Sequence, residues 1–208
     1  MIQATKQEQD GSALPREIGT TRVEAFSDSV IAVIITIMAF ELRPPQGASL
    51  DAVRDQLPGV LVYILSFVFV GIYWNNHHHL LRAADRISGA AMWANLFLLF
   101  WLSLIPVLTE WVRDEYRHPL PAAAYGAVAL AAGTAYSILV RALIRANGRE
   151  SRLAKAIGSD TKGRLSLVLY GVAVGAAFIS PWISYGIYVA VALLWFVPDR
   201  RLIGRTAR

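Results

Sequence analysis

Residues 22–40 read RVEAFSDSVIAVIITIMAF, a polar beginning followed by twelve residues that carry no charge. Surface helices of soluble proteins keep polar residues along one whole face, and the second half of this stretch cannot do so. A transmembrane helix needs about 20 mostly apolar residues. We therefore predict a first membrane helix over residues 25–40, which is short unless the polar turn at residues 26–28 is counted in it.

Five more stretches of this kind follow, at residues 57–73, 90–112, 121–144, 165–179 and 182–197. Pro181 separates the last two by a tight turn, because proline cannot continue a helix beyond its first turn. Charged residues make up 17% of the chain and apolar residues 55%, whereas soluble domains have about 25% charged residues. The pattern predicts an all-α integral membrane protein with six transmembrane helices in a lipid bilayer.

The basic residues indicate the orientation of these helices, because lysine and arginine concentrate in the cytoplasmic loops of membrane proteins. They are most frequent at residues 141–164 and 199–208, and Arg82 and Arg86 lie between the second and third helices. These segments share one side of a six-helix protein. Both termini are then cytoplasmic, and the protein is a multi-pass protein of the cell (plasma) membrane.

Three segments follow from this topology. Residues 1–20 form a polar cytoplasmic arm that we expect to be disordered, and it lacks the apolar core of a signal peptide. Residues 21–198 form the six-helix transmembrane domain, and residues 199–208 form a basic cytoplasmic tail. The net charge of +5 would suggest nucleic-acid binding in a soluble protein. Basic loops between membrane helices account for it, so no nucleic-acid partner is expected.

One stripe of the first helix holds Val33, Thr36, Ile37 and Phe40, which fall at positions i, i+3, i+4 and i+7. Two interpretations are open. The helix can be buried on this side, with the Thr36 hydroxyl bonded to a carbonyl of its own helix. Alternatively, the stripe lines a narrow passage. Periodicity alone does not separate them.

The polar beginning of the same helix also has two interpretations. Ser27 and Asp28 can cap the start of the helix, as serine and aspartate often do. Alternatively, Asp28 lies about one turn inside the membrane, where an ionisable group needs a partner. Arg22 precedes it by six residues, so the two need not share a face.

Three consecutive histidines, His77, His78 and His79, end the second predicted helix and suggest a metal site. Neighbouring side chains on a helix point about 100° apart, however, so the three do not converge on one ion. We expect no metal site there, and no metal beyond permeant potassium. Hydrogen bonding of one or two of these imidazoles to Asp28 or Ser27 is the better interpretation, since both segments end on the same side.

The third predicted helix contains Asn95 and Pro106. A buried amide in an apolar helix should bond to another helix. Proline removes a backbone donor, so Pro106 should kink the helix and leave the Leu102 carbonyl without its usual partner.

Several chemistries are absent from the sequence. It has no cysteine, no Gly-x-Ser-x-Gly element, no phosphate-binding loop and no paired carboxylates inside the predicted helices. It also lacks Thr-Val-Gly-Tyr-Gly, the carbonyl filter of ordinary potassium channels. No nucleophile or second carboxylate accompanies the histidines, which argues against a membrane enzyme, and no cofactor is expected.

Three segments resemble one known family. Arg22-x-x-x-Phe26-Ser27-Asp28 is similar to the RxxxFSD signature of the transmembrane protein 175 family of potassium channels. Tyr73-Trp74-x-x-His77-His78 and residues 95–106 are similar to its second and third helices. The resemblance covers helices one to three, about half of the chain, and the three segments occur in the family's order.

This resemblance implies six helices per unit and, for a chain with one unit, a homotetramer with the first helix of each subunit lining a central pore. Rings of bulky apolar side chains on that helix replace a carbonyl filter. The first constriction then falls on Val33, the hydroxyl position on Thr36, and later apolar positions on Ile37 and Phe40. Val33 is smaller than the usual isoleucine or leucine, and Phe40 is bulkier than the usual aliphatic residue.

The resemblance also implies a structural and gating network, which would hold the first helix against the second and third without binding permeant ions. Its members would be Arg22, Phe26, Ser27, Asp28, Trp74, His77, His78 and Asn95.

The function implied is a potassium-selective or potassium-preferring cation channel. A proton-coupled transporter or a proton-leak pathway is the alternative, with Asp28 and a histidine of the second helix as a relay.

Overall fold

The structure is a computed structural model that describes residues 14–158 and 160–196, with the side chains of residues 14–18 and 156 left out. Within these ranges it is all-helical, and the helices are connected by short turns and loops. In chain order they are α1 (Leu14–Phe40), α2 (Leu50–Arg82), α3 (Gly89–Ser103), α4 (Ile105–Glu115), α5 (Pro119–Asn147), α6 (Arg152–Ile157), α7 (Thr161–Ala176) and α8 (Pro181–Phe196).

Four helical stretches are long and apolar enough to cross a membrane: Gly19–Phe40, Leu50–Arg82, Gly89–Glu115 and Pro119–Asn147. The apolar helix α8 is shorter. It has 16 residues, as α7 does, which gives about 24 Å of helix against a hydrocarbon core of about 30 Å. The prediction of an all-α, multi-pass membrane protein is confirmed. The basic connection after α5 contains α6, a short helix that the sequence analysis did not predict.

The first helix begins earlier than expected. It starts at Leu14, so residues 14–20 of the arm expected to be disordered are helical. Ser27 and Asp28 therefore lie in the middle of α1, and the capping interpretation is wrong. Residues 1–13 of the arm and the tail at 199–208 lie outside the described residues. α2 also begins early, at Leu50, where the Ser49 side chain accepts a hydrogen bond from the Ala52 backbone.

The third predicted span is built from two consecutive helices. α3 ends at Ser103, and α4 begins at Ile105 with Pro106 in its first turn. The Leu104 N–H donates to the Trp101 carbonyl at 3.3 Å, a tighter turn than the regular α-helical pattern. The helix is interrupted at Leu104, two residues before the proline that was expected to kink it.

Helix α5 occupies the middle of the bundle and packs against α3, α4, α7 and α8. Its buried face is built largely from alanine, which lets neighbouring backbones approach closely where no hydrophobic effect draws membrane helices together. These buried residues include Ala122, Ala129, Ala132 and Ala135. Larger side chains such as Leu139 and Leu143 fill the core toward the end of the helix.

Buried hydroxyl groups connect the helices at mid-bundle. The Thr109 hydroxyl of α4 donates to the Ile105 carbonyl at 2.7 Å and lies 2.7 Å from the Ser66 hydroxyl of α2. Ser66 in turn lies 3.1 Å from the Tyr125 hydroxyl of α5. Each group has a partner, as buried polar groups require.

Consecutive long helices run in alternating directions, so the connections gather at two ends. At one end, the Asn147 side chain at the end of α5 accepts from the backbones of Asp85 and Arg86 at 2.9 Å. At the other end, Arg113 of α4 donates to the Glu41 carbonyl that follows α1. The Tyr185 hydroxyl of α8 donates to the Tyr116 carbonyl at 3.0 Å at this same end.

Candidate functional site on the first helix

Helix α1 has two different faces. One face holds Ser27, Ile31, Ile34 and Met38, which are all buried against other helices of the same chain. We call this the closed face. The opposite side holds the predicted stripe of Val33, Thr36, Ile37 and Phe40, which we call the open face. Its three apolar side chains are 56%, 44% and 85% exposed, in that order.

The open face has no partner within the described residues of the single chain. The interpretation that this side of the helix is buried within its own chain is therefore wrong. The Thr36 hydroxyl does bond back to its own helix, donating to the Ala32 carbonyl at 2.8 Å, as that interpretation expected. The assignment of these four residues to a constriction stays a prediction.

Arg22 and Phe26 lie on the line of the open face, since they precede Val33 by eleven and seven residues. Both are exposed, and neither enters a hydrogen bond or ion pair among the described side chains. Together with Met92 and Leu96 of α3 they border a groove of about 680 Å³. The structure therefore does not bring these two signature residues into the predicted network.

The closed face carries a buried chain of hydrogen bonds that joins three helices. The Asn95 amide of α3 donates to the Ser27 hydroxyl of α1 at 2.9 Å. Its oxygen lies 2.7 Å from Nε2 of His77 on α2, and Ser27 in turn donates to the Val23 carbonyl at 2.8 Å. Ser27, His77 and Asn95 are nearly inaccessible to solvent. This trio is the structural part of the predicted network.

The direction of these bonds fixes which nitrogen of His77 carries a hydrogen. The Asn95 amide nitrogen is used toward Ser27, so its oxygen must accept from His77. Nε2 of His77 is then a donor, and Nδ1 has no hydrogen-bond partner in the described part of the chain. His77 is thus connected to Ser27 only through Asn95. The prediction of a direct hydrogen bond between an imidazole and Ser27 or Asp28 is wrong.

A second set of contacts lies beside the first, at the edge of α1 that faces α2. The Trp74 indole donates to Oδ1 of Asp28 at 3.0 Å. Nδ1 of His78 lies 3.1 Å from Oε1 of Glu24, and the Trp74 and His78 rings stack with centroids 5.8 Å apart. Asp28 therefore has a hydrogen-bond donor on α2.

Glu24 belongs to this set of contacts, although nothing in the sequence distinguishes it from the rest of the polar beginning of the helix. It precedes Asp28 by four residues, so the two carboxylates share a face once the helix is known to extend through them. A correct prediction of the length of α1 would have indicated that Glu24 lies on the same face as Asp28. The three consecutive histidines diverge as expected: His77 is buried, His78 faces Glu24, and His79 is exposed.

The far end of α1 carries charge. Glu41 follows Phe40 and lies near Glu110 and Arg113 of α4. Partial burial raises the pKa of the Glu41 carboxyl, the Glu110 charge raises it further, and the Arg113 charge opposes both. Arg113 also lies 2.9 Å from Asp114, and Arg43 lies 3.4 Å from Glu110. Acidic and basic groups are thus mixed at this end.

Known proteins match the parts of the chain that build this site. The family model described as endosomal/lysosomal potassium channel TMEM175 matches residues 22–106. A Chryseobacterium protein described as a potassium channel is 46% identical over 181 residues, which is 87% of this chain and 94% of that protein.

A crystal structure of a lysosomal potassium-selective channel TMEM175 homolog from Chamaesiphon minutus superposes with a TM-score of 0.76. It is 26% identical, and the match covers 88% of this chain and 98% of that one. A Gallus gallus protein described as an endosomal/lysosomal proton channel is 27% identical over 124 residues, which is 52% of this chain and 25% of that protein.

Proposed function

Because the chain belongs to the TMEM175 family, we propose that it is a potassium-preferring cation channel in which four first helices surround one pore. The observation that carries this proposal is the open face of α1. Val33, Ile37 and Phe40 stand exposed in one chain while the opposite face of the same helix is fully packed. A homotetramer that turns these faces toward a common axis would give them a role and a partner.

The side chains of the open face suit a constriction without a carbonyl filter. A ring of apolar side chains that is too narrow for water dewets and blocks ions, and a small widening lets water and cations through. The Val33 ring would be the first constriction, and Ile37 and Phe40 would form rings farther along. Thr36 is the one hydroxyl among these four positions, and its hydrogen already bonds to Ala32. Its oxygen keeps a lone pair that a passing cation can use.

The same proposal includes six membrane crossings per subunit with both termini in the cytoplasm of a cell membrane. Alternating helix directions and the contrast between the two ends support it. The end formed by the α2–α3 and α5–α7 connections is rich in arginine and lysine, whereas the other end mixes both signs. That asymmetry is typical of membrane proteins whose basic end is cytoplasmic.

The chain has no cysteine, which makes this topology testable by single substitutions. Glu150→Cys places a thiol in the α5–α6 connection, and Gln46→Cys places one in the α1–α2 connection. In intact cells, a membrane-impermeant maleimide should label Gln46→Cys and leave Glu150→Cys unlabelled until the membrane is opened. The reverse pattern would invert the orientation, and equal labelling of both in intact cells would contradict the crossing number.

Potassium flux from liposomes containing purified protein tests the pore. Val33→Asn and Ile37→Asn add a hydrated amide to the proposed rings and should raise the flux, because a polar ring keeps the neck wet. Val172→Asn and Ile138→Asn are matched controls, since these side chains are 55% and 41% exposed on other helices. They should leave flux unchanged. Equal effects of the four substitutions, or no effect of the first two, would remove α1 from the pore.

Proton conduction is the second candidate, favoured by the description of the Gallus gallus relative as a proton channel. In this chain Asp28 bonds to Trp74 and His77 bonds to Asn95, so a relay between Asp28 and a buried imidazole would need these contacts to rearrange. Proton flux should be measured in the same liposomes. A flux that saturates at a low rate without single-channel events would favour a transporter over a channel.

A further inference from the structure

Three ligating side chains meet where α1 faces α2. They are Glu24 and Asp28, one turn apart on α1, and His78 on α2. One ligand atom from each lies within 4.8 Å of the other two. We propose that this Glu24–Asp28–His78 cluster is a binding site for a zinc-like divalent cation that bridges the first and second helices.

The donor set is appropriate for such an ion. Zinc is bound in proteins by histidine nitrogen and carboxylate oxygen at about 2.0–2.2 Å. Nitrogen and oxygen donors together favour zinc and its transition-metal neighbours, whereas magnesium and calcium prefer oxygen alone. Three protein ligands leave a fourth tetrahedral position for water.

The distances require little movement. Two ligands of a tetrahedral zinc ion lie about 3.4 Å apart, which follows from the bond lengths. Nδ1 of His78 and Oε1 of Glu24 are already 3.1 Å apart. The Asp28 oxygen has to approach by about 1.4 Å at most to complete the set, which a rotation of its carboxylate can supply.

A separate observation points to a ligand. Nδ1 of His78 is shielded from solvent and has no partner with hydrogen-bond geometry in the described part of the chain, although it faces Glu24. The Glu24 carboxylate lies 3.1 Å from this nitrogen without hydrogen-bond geometry, and a metal ion held between the two atoms would satisfy both. The other ring nitrogen lies 3.5 Å from the exposed Arg82, which can turn toward solvent when that nitrogen carries the hydrogen.

Trp74 supplies the surrounding support that metal sites usually have. Its indole donates to Oδ1 of Asp28, and its ring stacks on His78. Partners of this kind hold metal ligands in orientation. This site differs from the metal site that the run of histidines suggested, because it uses only His78 of the three.

Zinc titration of the purified full chain tests the proposal by calorimetry and tryptophan fluorescence. His118 lies 2.8 Å from Glu115 and could bind zinc weakly, so all variants carry His118→Ala. We expect one zinc ion per chain. Glu24→Gln should weaken zinc affinity at least about tenfold by removing a ligand, since outer-shell changes alone cost 10–100-fold. His79→Ala, which alters the exposed neighbour of His78, should leave the affinity unchanged.

Two further variants separate ligation from general structural effects. Glu24→His exchanges one zinc ligand for another, so it should keep binding that Glu24→Gln loses. Trp74→Phe should abolish most of the fluorescence response while calorimetric binding persists. Zinc should also raise the thermal unfolding midpoint of the His118→Ala chain and not of the Glu24→Gln variant.

Equal zinc affinity in Glu24→Gln and His79→Ala would overturn the site. So would one ion for every four chains, which would place the ion on a shared axis, or the absence of saturable binding at millimolar zinc.

Discussion

The two faces of α1 are built from similar residues but have different surroundings. On the closed face, Ile34 is 3% exposed and lies in the core, and Ser27 is bonded to another helix. On the open face, Ile37 is 44% exposed and Thr36 bonds only within its own helix. Each face combines one hydroxyl residue, two β-branched aliphatic residues and one larger apolar residue, so composition does not distinguish them. Their difference comes from which neighbours the rest of the chain supplies.

This contrast shows how one helix can be fixed to its own chain on one side and still expose apolar side chains on the other side. The packed core and the Ser27–Asn95–His77 bonds hold α1 against its own chain, which leaves the other face exposed for the contacts of the proposed homotetramer. A change on the closed face should therefore act on folding, and a change on the open face on conduction.

The largest effect is expected from a matched pair of isoleucines. Ile34→Asn buries an amide without a partner and removes packed methyl groups, and it should lower stability by about 3–4 kcal/mol. Ile37→Asn should change stability by less than about 0.5 kcal/mol, as surface substitutions usually do, while altering potassium flux. Reversible unfolding in detergent measures the first quantity and liposome flux the second.

Two results would break the comparison between the faces. One is an equal loss of stability in both variants, which would mean that Ile37 is packed in the assembled protein as tightly as Ile34. The other is an Ile37→Asn protein with unaltered flux, which would leave the open face without a functional role.

The next effect concerns the amide that joins the three helices. Asn95→Ala removes the partners of both Ser27 and His77 in a buried place, and it should lower stability by about 2 kcal/mol. Asn75→Ala is the control, because Asn75 is an exposed amide on α2 that forms no hydrogen bond among the described residues. Equal unfolding midpoints for the two variants would show that the buried bonds do not anchor α1.

The Asp28–Trp74 bond should have a smaller effect, because it is partly exposed to solvent. Asp28→Ala should lower stability by about 1 kcal/mol and reduce assembly or channel opening, while the reversal potential between potassium and sodium stays nearly unchanged. Trp74→Phe removes the same hydrogen bond from the other side, so the double variant should be scarcely worse than either single one. A strong shift in reversal potential with normal tetramer yield would instead place Asp28 in the ion path.

Much of this architecture could be predicted from the sequence, because hydropathy indicates the apolar helices and the basic residues mark the connections at one end. The break near Pro106 and the Pro181 turn depend on rules that act within a few residues, and the structure has both. The expected orientation depends instead on the distribution of basic residues over the connections. The open stripe followed from the 3.6-residue period, which also explains why the four positions share one exposed side.

Other features could not be predicted because they depend on neighbours that are distant in sequence. Asn95 was expected to bond to another helix, but its position between Ser27 and His77 requires knowing how α1, α2 and α3 pack together. Helix α1 was predicted too short, since its first turns are polar and hydropathy marks only the part that lipid surrounds. Because the helix was predicted too short, Glu24 fell outside it, and Ser27 and Asp28 were interpreted as residues that cap its start.

The finest test compares two hydroxyl groups with the same local bond. Ser27 donates to the Val23 carbonyl and Thr36 to the Ala32 carbonyl, each at 2.8 Å. Only Ser27 also accepts from another helix. Ser27→Ala should therefore lower stability by about 0.6 kcal/mol, the average for a hydrogen bond between membrane helices, and Thr36→Val should be close to neutral. Unfolding free energies in detergent measure the difference. If both substitutions are neutral, the contact from Asn95 adds nothing to the anchoring of α1. If Thr36→Val lowers stability as much as Ser27→Ala, the Thr36 hydroxyl has a partner that only the assembled protein supplies. In that case another subunit covers the open face at Thr36.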